Sequence, residues 1–235
     1  MDLGGLFGFV CLDSSGFGWI RLFGFIGLWL DSSGFIGEDI VIEIRNICKA
    51  YGSQVIFKNF NLRLEDGGAY ALTGPSGAGK TTLLRLLLGL EAPDSGEIIG
   101  ISGLRAAAVF QEDRLCPSFS PLENIRMVCG KHISRDFIRR EALRLLPQET
   151  LDRRASTLSG GQKRRTAILR ALLADSDLVV MDEPFTGLDE ETKAVVLRYA
   201  AEKVKGKIFI FSTHDPEDAE GLGAVRVEVG EFCRR

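Results

Sequence analysis

Gly74-Pro75-Ser76-Gly77-Ala78-Gly79-Lys80-Thr81-Thr82 matches the pattern G-x-x-x-x-G-K-S/T. Such a loop cradles phosphates, and each residue type in it has a chemical reason. Glycines let the backbone turn tightly and aim successive N–H groups at an anion. A helix opening at the end of the loop adds the positive end of its dipole. Lys80 brings a point charge for the β- and γ-phosphates, and the Thr81 hydroxyl can ligate Mg²⁺. The flanks agree. Ala69 to Thr73 reads as a short buried strand, and Thr82 to Leu88 as a helix stopped by Gly89. A chance match on a Gly-rich loop is the competing reading, and the strand–loop–helix setting argues against it. Alone, the loop establishes nucleoside triphosphate binding and not what the binding drives.

The chain has 235 residues, enough for one large domain or two small ones. Its 45% hydrophobic and 26% charged residues are ordinary for a globular protein. A net charge of −3 gives no basic footprint, so no nucleic-acid partner is expected. Cys11, Cys48, Cys116, Cys129 and Cys233 are scattered without a C-x-x-C pair. They read as reduced packing residues of a cytosolic protein rather than metal ligands. No apolar run reaches bilayer-spanning length.

Residues 1 to 38 differ from the rest. They hold no Lys, are rich in Gly and Phe, and repeat themselves: Leu12-Asp13-Ser14-Ser15-Gly16-Phe17 recurs as Leu30-Asp31-Ser32-Ser33-Gly34-Phe35. Two copies are too few for a solenoid, and this density of glycine opposes a helix. A membrane-surface anchor using Phe17, Trp19, Phe23, Phe25 and Trp29 is one reading. The expectation here is low-complexity sequence that does not pack, translated from repetitive DNA upstream of the true start. The globular pattern begins abruptly near Ile40.

From there the chain alternates strands with motif loops. Val41 to Ile44, Val55 to Phe57 and Phe60 to Leu64 read as strands, with Tyr51 between the first two. Tyr51 can stack on a base, or simply be a half-buried sheet residue. Ala106 to Phe110 is a buried strand running into Gln111, a residue type able to ligate Mg²⁺ and bond water. Residues 116 to 157 read as a helical interruption. Ser120 and Glu123 form a capping box with Pro121 at the first helical position. A second helix is expected over Ser134 to Leu146, ended by Pro147, with Arg135, Arg139, Arg140 and Arg144 as a solvated basic face.

The last third chooses among phosphate-loop proteins. Leu158-Ser159-Gly160-Gly161-Gln162 opens a helix running through Leu172, and Ser159 is placed to cap it. Its start is a second anion-facing site. One γ-phosphate rarely needs two such sites in one chain; two chains facing each other do. Leu178 to Met181 is an apolar strand ending in Asp182-Glu183, one carboxylate for a Mg²⁺ shell and one to orient or deprotonate water. Asp189 opens a helix reaching about Val204. Ile208 to Thr213 is another buried strand, with His214 at its end, where α/β proteins place ligand contacts.

In this order the set resembles the ATP-binding-cassette (ABC) ATPase family, over residues 40 to about 230. The resemblance implies an α/β P-loop fold, with a mostly parallel sheet, an antiparallel β subdomain, and a helical subdomain at about 116 to 157. It implies that Tyr51 stacks on adenine and that Gly74, Pro75, Ser76, Gly77, Ala78, Gly79, Lys80, Thr81 and Thr82 hold the phosphates of ATP. Ser159, Gly160, Gly161 and Gln162 would reach the γ-phosphate of ATP held by a second subunit, with Asp189 at the dimer interface. Thr81, Gln111 and Asp182 would serve Mg²⁺, Glu183 would be the catalytic base, and His214, Gln111 and Lys80 would complete the catalytic set. The segment between Lys80 and Gln111 is short for the family, which implies a trimmed hairpin. The segment between Gln111 and Leu158 is also short, so the helical subdomain has lost part of a helix. Nothing after His214 is long enough for a regulatory domain. The run Val109-Phe110-Gln111-Glu112-Asp113 is most similar to nitrate, sulfonate and taurine type importers.

The function implied is ATP hydrolysis by a homodimer at the cytoplasmic face of the membrane. It would drive a separate permease fed by an extracytoplasmic solute-binding protein. The rivals are an ABC-type ATPase of cluster assembly or other soluble machinery, and a binding module without catalysis; Glu183 speaks against the latter.

Overall fold

Two strands of the central sheet are buried along their whole length: β10 (Leu178–Met181) and β11 (Ile208–Ser212). Continuous apolar runs of this kind belong in a parallel sheet covered on both faces. The computed structural model describes residues 10–12, 18–20, 28–30, 36–38 and 40–230. In it, β12 (Val225–Glu228), β7 (Ala69–Thr73), β11, β10 and β9 (Ala106–Val109) lie side by side in that order. Every pairing in the sheet is parallel. Helix α1 (Lys80–Leu87) packs against β11, α4 (Gly160–Leu172) against β9, and α6 (Pro216–Gly221) against β7. Helix α5 (Glu190–Lys203) packs on α4 and α6.

Register positions the site. Met181 lies opposite both Phe211 and Val109, and Ser212 lies opposite Leu72. The carboxyl ends of four strands therefore share one edge. The segments leaving that edge are the phosphate loop, Phe110-Gln111, Asp182-Glu183 and Thr213-His214. Ligand chemistry in α/β sheets collects at this edge.

A second sheet has the order β6-β5-β8, from β5 (Val41–Tyr51), β6 (Gln54–Glu65) and β8 (Ser95–Ile99), with β5 and β8 antiparallel. The two strands expected over 55–57 and 60–64 are one. Asn59 sits within β6 at φ +53, so the strand bends there instead of ending. Asparagine tolerates that left-handed geometry better than most residues.

The helical insert holds α2 (Pro121–Arg126) and α3 (Arg135–Leu143), followed by two short 3₁₀ turns. Ser120 and Glu123 close the expected capping box, and Ser134 caps α3. Helix α3 ends three residues before the expected Leu146. Buried Asn124 fixes the preceding loop: its amide donates to the Cys116, Phe119 and Ser120 carbonyls, and its oxygen accepts from the Cys116 N–H. The basic face is partly paired, Arg139 with Asp152 and Arg144 with Glu202.

Residues Met1–Val41 form a unit of their own, separate from Ile42–Arg235. Its described residues are four antiparallel strands in sequence order: β1 (Val10–Leu12), β2 (Gly18–Ile20), β3 (Leu28–Leu30) and β4 (Ile36–Glu38). The two copies of the repeated hexapeptide each begin at the last residue of a strand, Leu12 and Leu30. The anchor residues Phe17, Phe23 and Phe25, and the rest of each repeat, lie outside the described residues.

Candidate functional site

The phosphate loop leaves β7 at Gly74, whose φ is +134. A Cβ there would meet the Val229 carbonyl oxygen at 2.2 Å, so the tight exit needs glycine twice over. Gly79 caps α1 at φ +103, and a Cβ there would sit 2.5 Å from the Ile56 side chain. No side chain among the described residues caps this helix. Its first N–H groups are left for a ligand, the arrangement that binds phosphate. Lys80 is buried, and its ammonium donates to the carbonyls of Gly74 at 2.8 Å and Pro75 at 3.0 Å. Burial pushes the Lys80 pKa down, while the carboxylates of Glu183 and Asp182 draw it back up. Thr82 is buried in the first turn, and Thr81 and Ser76 are exposed.

Beside this loop the strand ends form one network. Asp182 is buried, and its Oδ1 accepts from the Ser212 hydroxyl at 2.6 Å. The same hydroxyl oxygen accepts from the Glu183 N–H at 2.8 Å. Glu183 takes φ +47, a conformation uncommon outside glycine, and Ser212 holds it there. Glu183 Oε1 lies 2.9 Å from His214 Nε2. The structure thus brings Lys80, Asp182, Glu183 and His214 together. Ser212 was not anticipated; the one signal for it is a hydroxyl ending an otherwise apolar run. A cleft of about 350 Å³ opens alongside, lined by Thr73, Gly74, Thr213, His214, Arg226 and Glu228 among others.

The other anticipated residues sit at the end of β5, just after β9, and at the starts of α5 and α4. Tyr51 is 45% exposed. Its hydroxyl donates to Glu91, which pushes the phenol pKa up, and the Lys49 ammonium lies 5.4 Å from the ring centroid. Gln111 is exposed, and its side chain makes no hydrogen bond among the described residues. Asp189 caps α5 by accepting from the Thr192 N–H at 2.9 Å, and that bond holds its carboxyl below the usual range.

Ser159 caps α4 and Gln162 closes the box, its Oε1 accepting from the Ser159 N–H at 3.0 Å. That bond uses the Gln162 side-chain oxygen and leaves its amide N–H groups available. Gly160 and Gly161 are another matter. Neither has a positive φ, a Cβ at Gly160 would meet nothing within 4 Å, and one at Gly161 would meet only Leu188, at 3.8 Å. The chain's own packing requires neither glycine.

A hydroxyl, an amide and one carboxylate suit Mg²⁺, which is held by few protein oxygens alongside substrate phosphate. Thr81, Gln111 and Asp182 supply that set. Asp182 keeps Oδ2 free of hydrogen bonds among the described residues, which leaves one carboxylate oxygen available to an ion. No cluster of three or more His, Cys, Asp or Glu side chains suited to a metal occurs among the described residues. Cys48, Cys116 and Cys129 are free thiols.

The family model described as "ABC transporter" matches residues 57–186. A Nod factor export ATP-binding protein I from Cupriavidus metallidurans is 38% identical over 200 residues, covering 77% of this chain and 65% of that protein. A spermidine/putrescine import ATP-binding protein PotA from Lawsonia intracellularis is 36% identical over 201 residues, covering 78% of this chain and 54% of that protein. The chain thus spans between 54% and 65% of the length of these two relatives. Among solved structures, the dimeric post-hydrolysis state of the ATP-binding cassette MJ0796 bound to ADP and Pi superposes with a TM-score of 0.69 at 25% identity. That match covers 81% of this chain and 95% of the other.

Proposed function

Because the chain belongs to the ABC transporter family, we propose that it is an ATP-hydrolysing subunit that works as a pair of identical copies and drives solute import through a separate membrane permease. The observation that carries the hydrolytic part is the Ser212-held Glu183, strained at φ +47 and in contact with His214 beside the phosphate loop. Tyr51 stacks on the base, and the loop N–H groups with Lys80 hold the phosphates. Lys80 releases the Gly74 and Pro75 carbonyls to do so.

Glu183 accepts a proton from water as the water attacks the γ-phosphorus in line. The bond to the β-phosphate oxygen breaks, and ADP and phosphate leave. His214 steadies the Glu183 carboxylate and the γ-phosphate oxygens. Thr81, Gln111 and Asp182 would hold Mg²⁺, which when bound would supply charge neutralisation for the phosphates. Preorganised donors aimed at developing charge supply most of the rate in such sites.

The pairing rests on the start of α4. Its two glycines serve no need of this chain's own packing, so they make room for something from outside. A second copy's γ-phosphate fits there, and the solved cassette MJ0796 that this chain resembles is described as dimeric. The direction of transport rests on the run Val109 to Asp113, which is most similar to that of nitrate, sulfonate and taurine type importers. A permease and an extracytoplasmic binding protein are the corresponding partners, with this subunit at the cytoplasmic face.

Glu183→Gln tests the reading. Removing the base lowers kcat by about 10²–10⁴-fold, leaves ATP affinity intact, and accumulates a dimer with ATP. Near-normal hydrolysis by purified Glu183→Gln protein overturns the role assigned. Co-purification with a membrane protein from the native host tests the permease.

A further inference from the structure

Resting on that functional reading, we propose that Arg164 is a positioning residue that locks the Gln111 loop to α4, so that the chain's own nucleotide and the helix start offered to the twin move as one. Arg164 lies in the second turn of α4 and is buried, 8% exposed. Its guanidinium donates to the Phe110 carbonyl at 2.7 Å and to the Gln111 carbonyl at 2.9 Å. The same group lies 3.3 Å from the Asp113 carboxylate. Arg170, later on α4, donates to the Arg114 carbonyl at 2.8 Å and the Asp113 carbonyl at 3.2 Å. Two guanidinium groups from one helix thus hold the carbonyls of Phe110, Gln111, Asp113 and Arg114. Arg114 itself takes φ +45 and lays its guanidinium 3.8 Å from the Phe110 ring centroid.

The consequence follows from what is left free. The exposed Gln111 side chain has no hydrogen bond among the described residues, so its reach is set by its backbone, and Arg164 sets the backbone. The rigid fork of the guanidinium spans two successive carbonyls at once. A lysine in its place satisfies one of them. When phosphate draws Gln111 towards the site, the pull passes through Arg164 to α4 and its capped start at Ser159. Coupling of this kind is reciprocal, so closure of the twin over Ser159 also places Gln111.

The test uses the full chain as wild type, Arg164→Gln and Arg164→Lys. The first readout needs no activity: the rate of cleavage after exposed Glu112, which lies between the groups Arg164 holds, by a glutamate-specific protease, mapped by mass spectrometry. Loss of the fork in Arg164→Gln frees the loop and raises that rate by about tenfold; an unchanged rate overturns the lock. The second readout is hydrolysis. In Arg164→Gln, kcat falls by about tenfold while ATP affinity and KM stay within about twofold, as expected when positioning rather than binding is lost. The Hill coefficient for ATP falls towards one, and Arg164→Lys recovers part of both. Wild-type kcat and cooperativity in Arg164→Gln overturn the proposal. Should that variant fail to fold, Arg164→Lys decides alone, since intermediate values support the proposal and wild-type values overturn it. A wild-type protein that hydrolyses no ATP overturns the functional reading instead, and the cleavage rate still decides whether Arg164 holds the loop.

Discussion

Ser212 shows how much chemistry one buried hydroxyl can organise. It donates to Asp182 and accepts from the Glu183 N–H, so it satisfies a carboxylate and a strained peptide together. Ser212→Ala leaves the Glu183 N–H without its partner, at a cost of about 1–3 kcal/mol. Both the urea midpoint and kcat are expected to fall, because the base loses its support. A variant with reduced stability but full turnover would show that Glu183 needs no such holding. Gly79→Ala forces a methyl into Ile56 at a backbone angle that suits glycine. Its expected outcome is loss of ATP affinity, read by a fluorescent nucleotide.

Helix α4 separates what folding needs from what function needs. Gly161→Ala meets no clash within the chain, and alanine loses less chain entropy on folding than glycine. Stability is therefore expected to hold or rise by about 0.4–1 kcal/mol, while hydrolysis falls because a methyl intrudes on the twin's phosphate. A melt and a rate on the same sample check both signs. Helices α3 and α5 are braced by buried Tyr199, whose hydroxyl donates to Glu141 at 2.8 Å. Lys203 lies 2.9 Å from the same carboxylate. Burial pushes the Glu141 pKa up, but Lys203, Tyr199 and Arg144 outweigh it and leave the carboxyl below its ordinary value. A depressed carboxyl adds stability above its unfolded pKa, about 4.3, and loses it as pH falls through the folded value. Stability is expected to drop below about pH 4, and Glu141→Gln to flatten that part of the profile. An unchanged acid limb in the variant would place the acid sensitivity elsewhere.

At the scale of the whole molecule, pairing makes rate depend on concentration. Specific activity per chain is expected to fall on dilution, in step with the dimer fraction seen by light scattering; full activity in a strict monomer would sink the paired site. Residues 1–38 belong to a unit of their own, and none of them is among the residues of the proposed nucleotide site. A chain beginning at residue 39 is expected to match the full chain in melting temperature and turnover. Mass spectrometry of the native N-terminus checks whether the segment is made at all.

The motif residues were readable in order because their spacing is local. A phosphate loop, a capping box and an apolar run ending in carboxylates each declare themselves within a few residues. Sequence alone therefore determined the family resemblance and the parallel core, and it singled out Lys80, Asp182, Glu183 and His214, which the structure brings together. Local pattern does not carry register, backbone strain or partners far apart in the chain. That Ser212 joins Asp182 to Glu183, that Asn59 bends one strand instead of ending it, and that Arg164 grips Gln111 from 53 residues away were decided only by the tertiary structure. Such contacts exist only once parallel strands in fixed register bring their carboxyl ends to one edge and a helix is packed beside them.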